Sequence, residues 1–140
     1  MNTMRYFSIT KFSDAILLIT RIMLMLLFVI FGYEKLIGFS GTINYMASTG
    51  SPFPTLSAIV AVVLEFFVGI AIILGFYTRP LALIMAVYTL ITALIGHNFW
   101  TMTGAAHYAN EINFYKNVAI MGGLFLLALT GPGKYSLDRK

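Results

Sequence analysis

Glu65 stands near the middle of an apolar stretch that runs from Leu56 to Phe76. An ionised group facing lipid there costs on the order of 2.5 to 3.5 kcal/mol on the insertion scale, so intramembrane acids line a bundle interior and find a partner. Five further polar side chains could join it: Arg21 inside the first apolar run, Lys35 just beyond that run, His97, and the neighbours Lys116 and Asn117. A carboxylate beside an ammonium or imidazole can relay a proton or hold the head group of a small ligand. It can also do no more than lock helix ends together. Glu34, Tyr88, Trp100 and Asn113 form a second rank of candidates. Tyr88, Thr92 and Gly96, spaced by four, make a mildly polar stripe whose plainer role is interhelical hydrogen bonding. The two histidines, His97 and His107, are too few for a convincing metal site, and none is assigned.

These residues have to be carried by membrane helices. The stretch around Glu65 holds fourteen Leu, Ile, Val or Phe residues, which return about 4 to 8 kcal/mol and insert the segment despite its acid. Apolar patterning predicts helices over about 15–32, 56–76, 81–96 and 114–130 of a single domain covering 1–140. The last takes in Phe114 to Asn117 to reach spanning length. Tyr33 to Thr55 is too long for a simple turn and is predicted to hug the membrane surface as an ordered lid, with a short helix from Ser40 to Ala47 and Gly50 as its stop. Thr78-Arg79-Pro80 is a tight turn, and Gly131-Pro132-Gly133 ends the last helix. Since backbone polar groups in lipid must be satisfied within each helix, the fold class is all-α, an antiparallel four-transmembrane-helix bundle. Alternating directions put Glu34, Lys35, His97, Asn113, Lys116 and Asn117 at one end, with Glu65 beneath them.

Composition narrows the function. The chain is 59% hydrophobic and only 10% charged, against about 25% charged residues in a soluble domain. It is one polytopic membrane domain. Cysteine is absent, which removes thiol redox chemistry, cysteinyl iron–sulfur ligation and covalent haem attachment, so a redox role requires a borrowed cofactor. Arg5 and Lys11 precede the first apolar run without a small-residue cleavage site, the pattern of an uncleaved first helix. With Arg79, Lys134, Arg139 and Lys140 they put both termini in the cytoplasm, where a net charge of +4 favours anionic lipid over nucleic acid. On this topology Arg21 and Glu65 fall within roughly 6 to 8 Å in depth and are expected to pair. In the alternative Arg21 snorkels to the headgroups and Glu65 is protonated.

Arg21, Phe31-Gly32 with Lys35, Met46 with Gly50 and Pro52, Glu65, and Gly75 with Thr78-Arg79 form an ordered set. His97, Lys116-Asn117, Gly131-Pro132-Gly133 and Ser136-Leu137-Asp138 complete it. In this set the chain resembles the DoxX family of small four-helix bacterial inner-membrane proteins over nearly its whole length. The resemblance implies a multi-pass inner-membrane location and a quinone-linked or redox-complex membrane subunit, because the family is named for membrane components associated with thiosulfate:quinone oxidoreduction. Quinone is then the expected cofactor, and lipid, soluble redox enzymes or a second copy of the chain the expected partners. Two other classes stay open: a small proton-coupled transporter or channel built on Glu65, and a non-catalytic scaffold docking soluble redox enzymes.

Overall fold

Residues 8–138 are described by a computed structural model in which nearly all of the backbone hydrogen bonding is helical. Helix α1 covers Ser13–Ile37, α2 Phe39–Ser48, α3 Pro54–Leu74, α4 Thr78–Gly96 and α5 Gly104–Thr130. Short 3-10 turns, Thr10–Phe12 and Phe99–Thr101, precede α1 and α5. There is no strand among the described residues. Helices α1, α3, α4 and α5 are each long and apolar enough to cross a membrane, and they alternate in direction. Arg5, Arg139 and Lys140, used above to orient the chain, lie outside the described residues.

Helices α1, α4 and α5 extend beyond the sequence expectation, α4 by taking in Thr78-Arg79-Pro80, the expected tight turn, as its own first turn. Gly32 reads as a stop, yet α1 continues through it to Ile37. The glycine marks a close approach instead: a Cβ on Gly32 would sit 2.6 Å from the Phe66 backbone nitrogen and 2.8 Å from the Glu65 Cβ. Helix α5 begins at Gly104, ten residues ahead of the expected 114. Its first turns are polar and project past the end of α4, since the His97 ring, at the α4 terminus, bonds Asn110 rather than a residue of the first turn. Hydropathy reports the part of a helix that crosses lipid, not the part that overhangs it.

Packing groups the spans in two pairs. Helix α1 lies along α3, and α4 lies along α5, while contacts between the pairs are sparser. The core where the pairs meet alternates small and large side chains: Met25 and Phe28 on α1, Ala61 and Ile72 on α3, Ala82 and Met85 on α4, and Leu124 on α5 are all buried. Gly69 also faces α1, where a Cβ would meet Val29 at 2.9 Å, consistent with a close helix approach on the face shared by Ala61, Glu65 and Gly69.

At the end of the bundle where the described residues begin and end, the pairs are tied together. Beyond α5 the chain crosses this end, where the Leu137 N–H donates to the Leu74 carbonyl (3.0 Å) and the Asp138 N–H to the Gly75 carbonyl (2.8 Å). The Asp138 carboxylate accepts from the Tyr77 N–H at 2.8 Å and the Thr78 N–H at 2.9 Å. It thus caps α4 from a distant segment, satisfying donors that a helix start leaves free. Arg79 donates to the Ala128, Leu129 and Thr130 carbonyls at the end of α5, and Asp14 accepts from the Lys134 N–H at 2.8 Å. Gly75 allows the crossing: its φ is +74°, and a Cβ there would collide with Arg21 and Ser136.

Candidate functional site

A helical Cα–Cβ bond tilts toward the helix N-terminus, so a side chain covers ground on the N-terminal side of its own backbone. Lys35 lies in the last turn of α1 and leans back into the bundle, while Glu65, on the antiparallel α3, leans to meet it. The Lys35 Nζ donates to the Glu65 Oε2 at 2.6 Å. From α4 the Tyr88 hydroxyl donates to Oε1, also at 2.6 Å. Both carboxylate oxygens therefore act as acceptors in short, charge-assisted bonds. Glu65 and Tyr88 are buried at 7% and 9% exposure, and the Lys35 side chain keeps 25%. A buried acid satisfied on both oxygens escapes most of the penalty an unpaired charge would carry.

Glu65 sits in the Val63–Val68 segment of α3, which is π-helical. A π turn adds one residue to the helical circuit and re-aims the side chains after it, and such turns recur at functional sites. Gly32 completes the setting by letting α1 approach the backbone at Glu65 and Phe66.

Arg21 is a correction to the sequence reading: it neither pairs with Glu65 nor snorkels. The same tilt carries its guanidinium away from Glu65 toward the terminal end, where it donates to the Ile73 carbonyl at 2.9 Å, more weakly to that of Ile72, and to that of Tyr135. It is fully buried and belongs to the tie between α1, the end of α3 and the C-terminal segment.

The Lys35–Glu65–Tyr88 cluster borders a cavity of about 420 Å³ that is lined from both helix pairs. His97, Lys116 and Asn117 line its α4–α5 side, and Tyr45 and Met46 of α2, with Thr49 just beyond its end, border it as well. Its walls include Phe31, Leu56, Val60, Ile91 and Ile95, each at least 40% exposed in the isolated chain. In a membrane those side chains face acyl chains, so the cavity is bordered by lipid as well as by protein. The Lys116 Nζ donates to the Asn113 Oδ1 at 2.9 Å, and the His97 Nδ1 lies 3.0 Å from the Asn110 Oδ1.

Five of the six leading sequence candidates, Lys35, Glu65, His97, Lys116 and Asn117, thus border one cavity, with Arg21 outside it. Of the second rank Tyr88 lines the cavity and Asn113 supports Lys116. Glu34 is exposed and does not reach the cavity; Trp100 packs edge-on against Phe99 and Phe114 outside it. Tyr45, Met46 and Thr49 were not among the candidates. The signal that could have found them is the apolar content of the Tyr33–Thr55 connection.

These features define a small polytopic membrane protein whose buried charged cluster opens into a lipid-bordered cavity. The sequence model of the DoxX family matches residues 16–98, and the chain belongs to the DoxX family. It is 56% identical to the inner membrane protein YphA of Escherichia coli K12 across the full length of both chains. With the inner membrane protein YqjF of the same strain it shares 42% identity over 92% of this chain and 94% of that one. A Surfeit locus protein 4 homolog from Schizosaccharomyces pombe is 30% identical over 49% of the chain, a region amounting to 24% of that protein. No solved structure matches. The chain is a multi-pass protein of the bacterial inner membrane.

Proposed function

We propose that the chain is a quinone-binding subunit of a membrane oxidoreductase complex. The observation that carries this reading is the pairing of an apolar, lipid-bordered cavity with hydrogen-bond donors on its floor and side. An isoprenoid tail fits the apolar wall, and a quinone ring carries two carbonyl oxygens that need donors, which Lys35, Lys116 and His97 can supply. Reduction of a quinone consumes two electrons and two protons. The Glu65 carboxylate, bonded at once to an ammonium and a phenol, is chemically suited to pass protons between the cavity and the bundle interior. The electrons come from a partner oxidoreductase, since this chain has no cysteine and no cofactor motif of its own.

The same reading places both termini in the cytoplasm. Lys11, Arg79 and Lys134 lie at the terminal end, whereas Lys35 and Lys116 are committed to the cavity. Reporter fusions after Ala105 and at the C-terminus should then report opposite sides of the membrane.

The test is lipid extraction of the protein purified in mild detergent, followed by chromatography and mass spectrometry. Quinone should be retained by the native protein and lost from Glu65→Gln and His97→Ala variants that still purify as folded species. Absence of quinone together with proton-coupled uptake in liposomes would replace this function with transport.

A further inference from the structure

The ionisable groups bordering the cavity do not balance. Lys35 is neutralised by Glu65 at 2.6 Å. Lys116 is not: its hydrogen-bond acceptor is the neutral amide of Asn113, and among the described residues no carboxylate lies within ion-pair distance of it. Counting the lysines and Glu65 alone, the cavity holds two ammonium groups and one carboxylate, leaving one positive charge beside an apolar wall. Lys116 lies on α5 six residues past Asn110, the partner of His97 at the end of α4, and therefore about 9 Å further into the bundle. Its tilt returns the ammonium toward the cavity. Lys116 is exposed at the border of the cavity and has only a neutral partner, so its ammonium is free to receive a negative charge carried on an apolar tail.

We infer that the cavity selects an amphiphile whose head group carries one negative charge on oxygen, placed against Lys116. The shared chemistry has two sources: the radical anion formed when a bound quinone accepts one electron and no proton, and the carboxylate of a free fatty acid drawn from the bilayer. The first source rests on the quinone reading above; the second does not.

The experiment uses the full chain in nanodiscs of neutral phospholipid at mildly alkaline pH and two fluorescent probes, parinaric acid and its methyl ester. The two share one chain and differ in head-group charge. After correction for partition into empty nanodiscs, the native protein should bind the acid about tenfold more tightly than the ester, the difference expected between charge-assisted and neutral hydrogen bonding. Lys116→Gln should abolish the preference and Lys116→Arg should keep it. Equal binding of both probes by the native protein overturns the inference. So does a preference that survives in Lys116→Gln, or one lost equally in Lys116→Arg, which would make the effect one of packing.

The sources are separated in a second arm. A short-chain quinone is added to the native protein and reduced with substoichiometric dithionite, which supplies the single electron. A paramagnetic signal that is strong in native protein and weak in Lys116→Gln assigns the charge to a quinone. Fatty acid retained through purification, with neither bound quinone nor radical, assigns it to the carboxylate and removes the quinone reading while leaving the anion selectivity standing.

Discussion

The two ends of this bundle spend their charged residues in opposite ways. At the terminal end Arg21, Arg79, Asp14 and Asp138 bond almost entirely to backbone groups, closing helix ends and fastening the C-terminal segment across α3 and α4. At the cavity end Lys35, Glu65 and Tyr88 bond to one another, and Lys116 and His97 bond to amide side chains. Backbone acceptors are fixed by the helices that carry them, so the first arrangement holds geometry. Side-chain partners can rotate away and be replaced by a ligand, so the second leaves exchangeable bonds around a space. On the function proposed above, the difference separates stability from binding within a chain of four spans.

The sharpest way to break this comparison is Arg21→Met. It removes the donor to three carbonyls in a fully buried position, and the expected loss is about 3 kcal/mol or more, read as thermal unfolding of the detergent-purified protein. Because Arg21 and Glu65 do not touch, combining Arg21→Met with Glu65→Gln should give additive losses to within about 0.5 kcal/mol. A larger coupling would join the two ends energetically and undo the distinction.

Gly32→Ala should cost about 2 kcal/mol, since its methyl group is driven into the backbone at Glu65 and Phe66 rather than into a yielding side chain. It should also lower quinone retention, because the clash displaces the segment that aims Glu65. Retention unchanged at reduced stability would show that the π segment does not depend on this contact.

Lys35→Met strands the Glu65 carboxylate against Tyr88 alone. A loss of roughly 2 kcal/mol is expected, with much of it recovered when Glu65→Gln is added, and a double-mutant cycle should give a coupling of about 1 to 3 kcal/mol. Simple additivity would mean that the pair contributes geometry without energy.

The smallest effect belongs to Asp138. Its partial burial raises the carboxyl pKa, but the Thr78 and Tyr77 N–H groups and the Arg21 guanidinium outweigh that, and the net position is below the ordinary carboxylate value. A folded pKa below the unfolded one means the tether is in full force above the unfolded value of about 3.9 and is lost as pH falls through the lower folded value. Asp138→Asn should cost about 1 kcal/mol at neutral pH, the usual scale for a cap. The gap between variant and native protein should narrow below about pH 4, as followed by amide exchange at Tyr77 and Thr78.

What the sequence reveals and what it hides divide along similar lines. Four membrane spans and the gathering of Lys35, Glu65, His97, Lys116 and Asn117 toward one region are legible because they follow from apolar length and alternating direction, while the family is legible only through the resemblance of its ordered motifs. The partner of Glu65 is not. Backbone depth alone favours Arg21, and only the tilt of side chains toward helix N-termini carries Arg21 away from Glu65 and brings Lys35, further along the same helix, back to it. Tyr88 looks like an ordinary interhelical hydrogen bonder until the π turn on α3 brings a carboxylate to it. Gly32 shows the ambiguity of glycine in a membrane helix, where a stop and a close approach leave the same letter in the sequence. The overhanging first turns of α5 escape any hydropathy argument because they are as polar as a loop.

The contact between Arg21 and Tyr135 joins residues 114 positions apart, which has a consequence for biosynthesis. The first span reaches the membrane with its arginine unsatisfied, and at about 5 to 20 residues per second the carbonyl of Tyr135 is made roughly 6 to 23 s later. Until then Arg21 can be satisfied only by lipid headgroups, by water, or, once α3 exists, by the Ile72 and Ile73 carbonyls. The segment that follows the fourth span therefore finishes the environment of a residue in the first. A chain cut short before Tyr135 keeps all four spans and still carries an incompletely coordinated guanidinium between them.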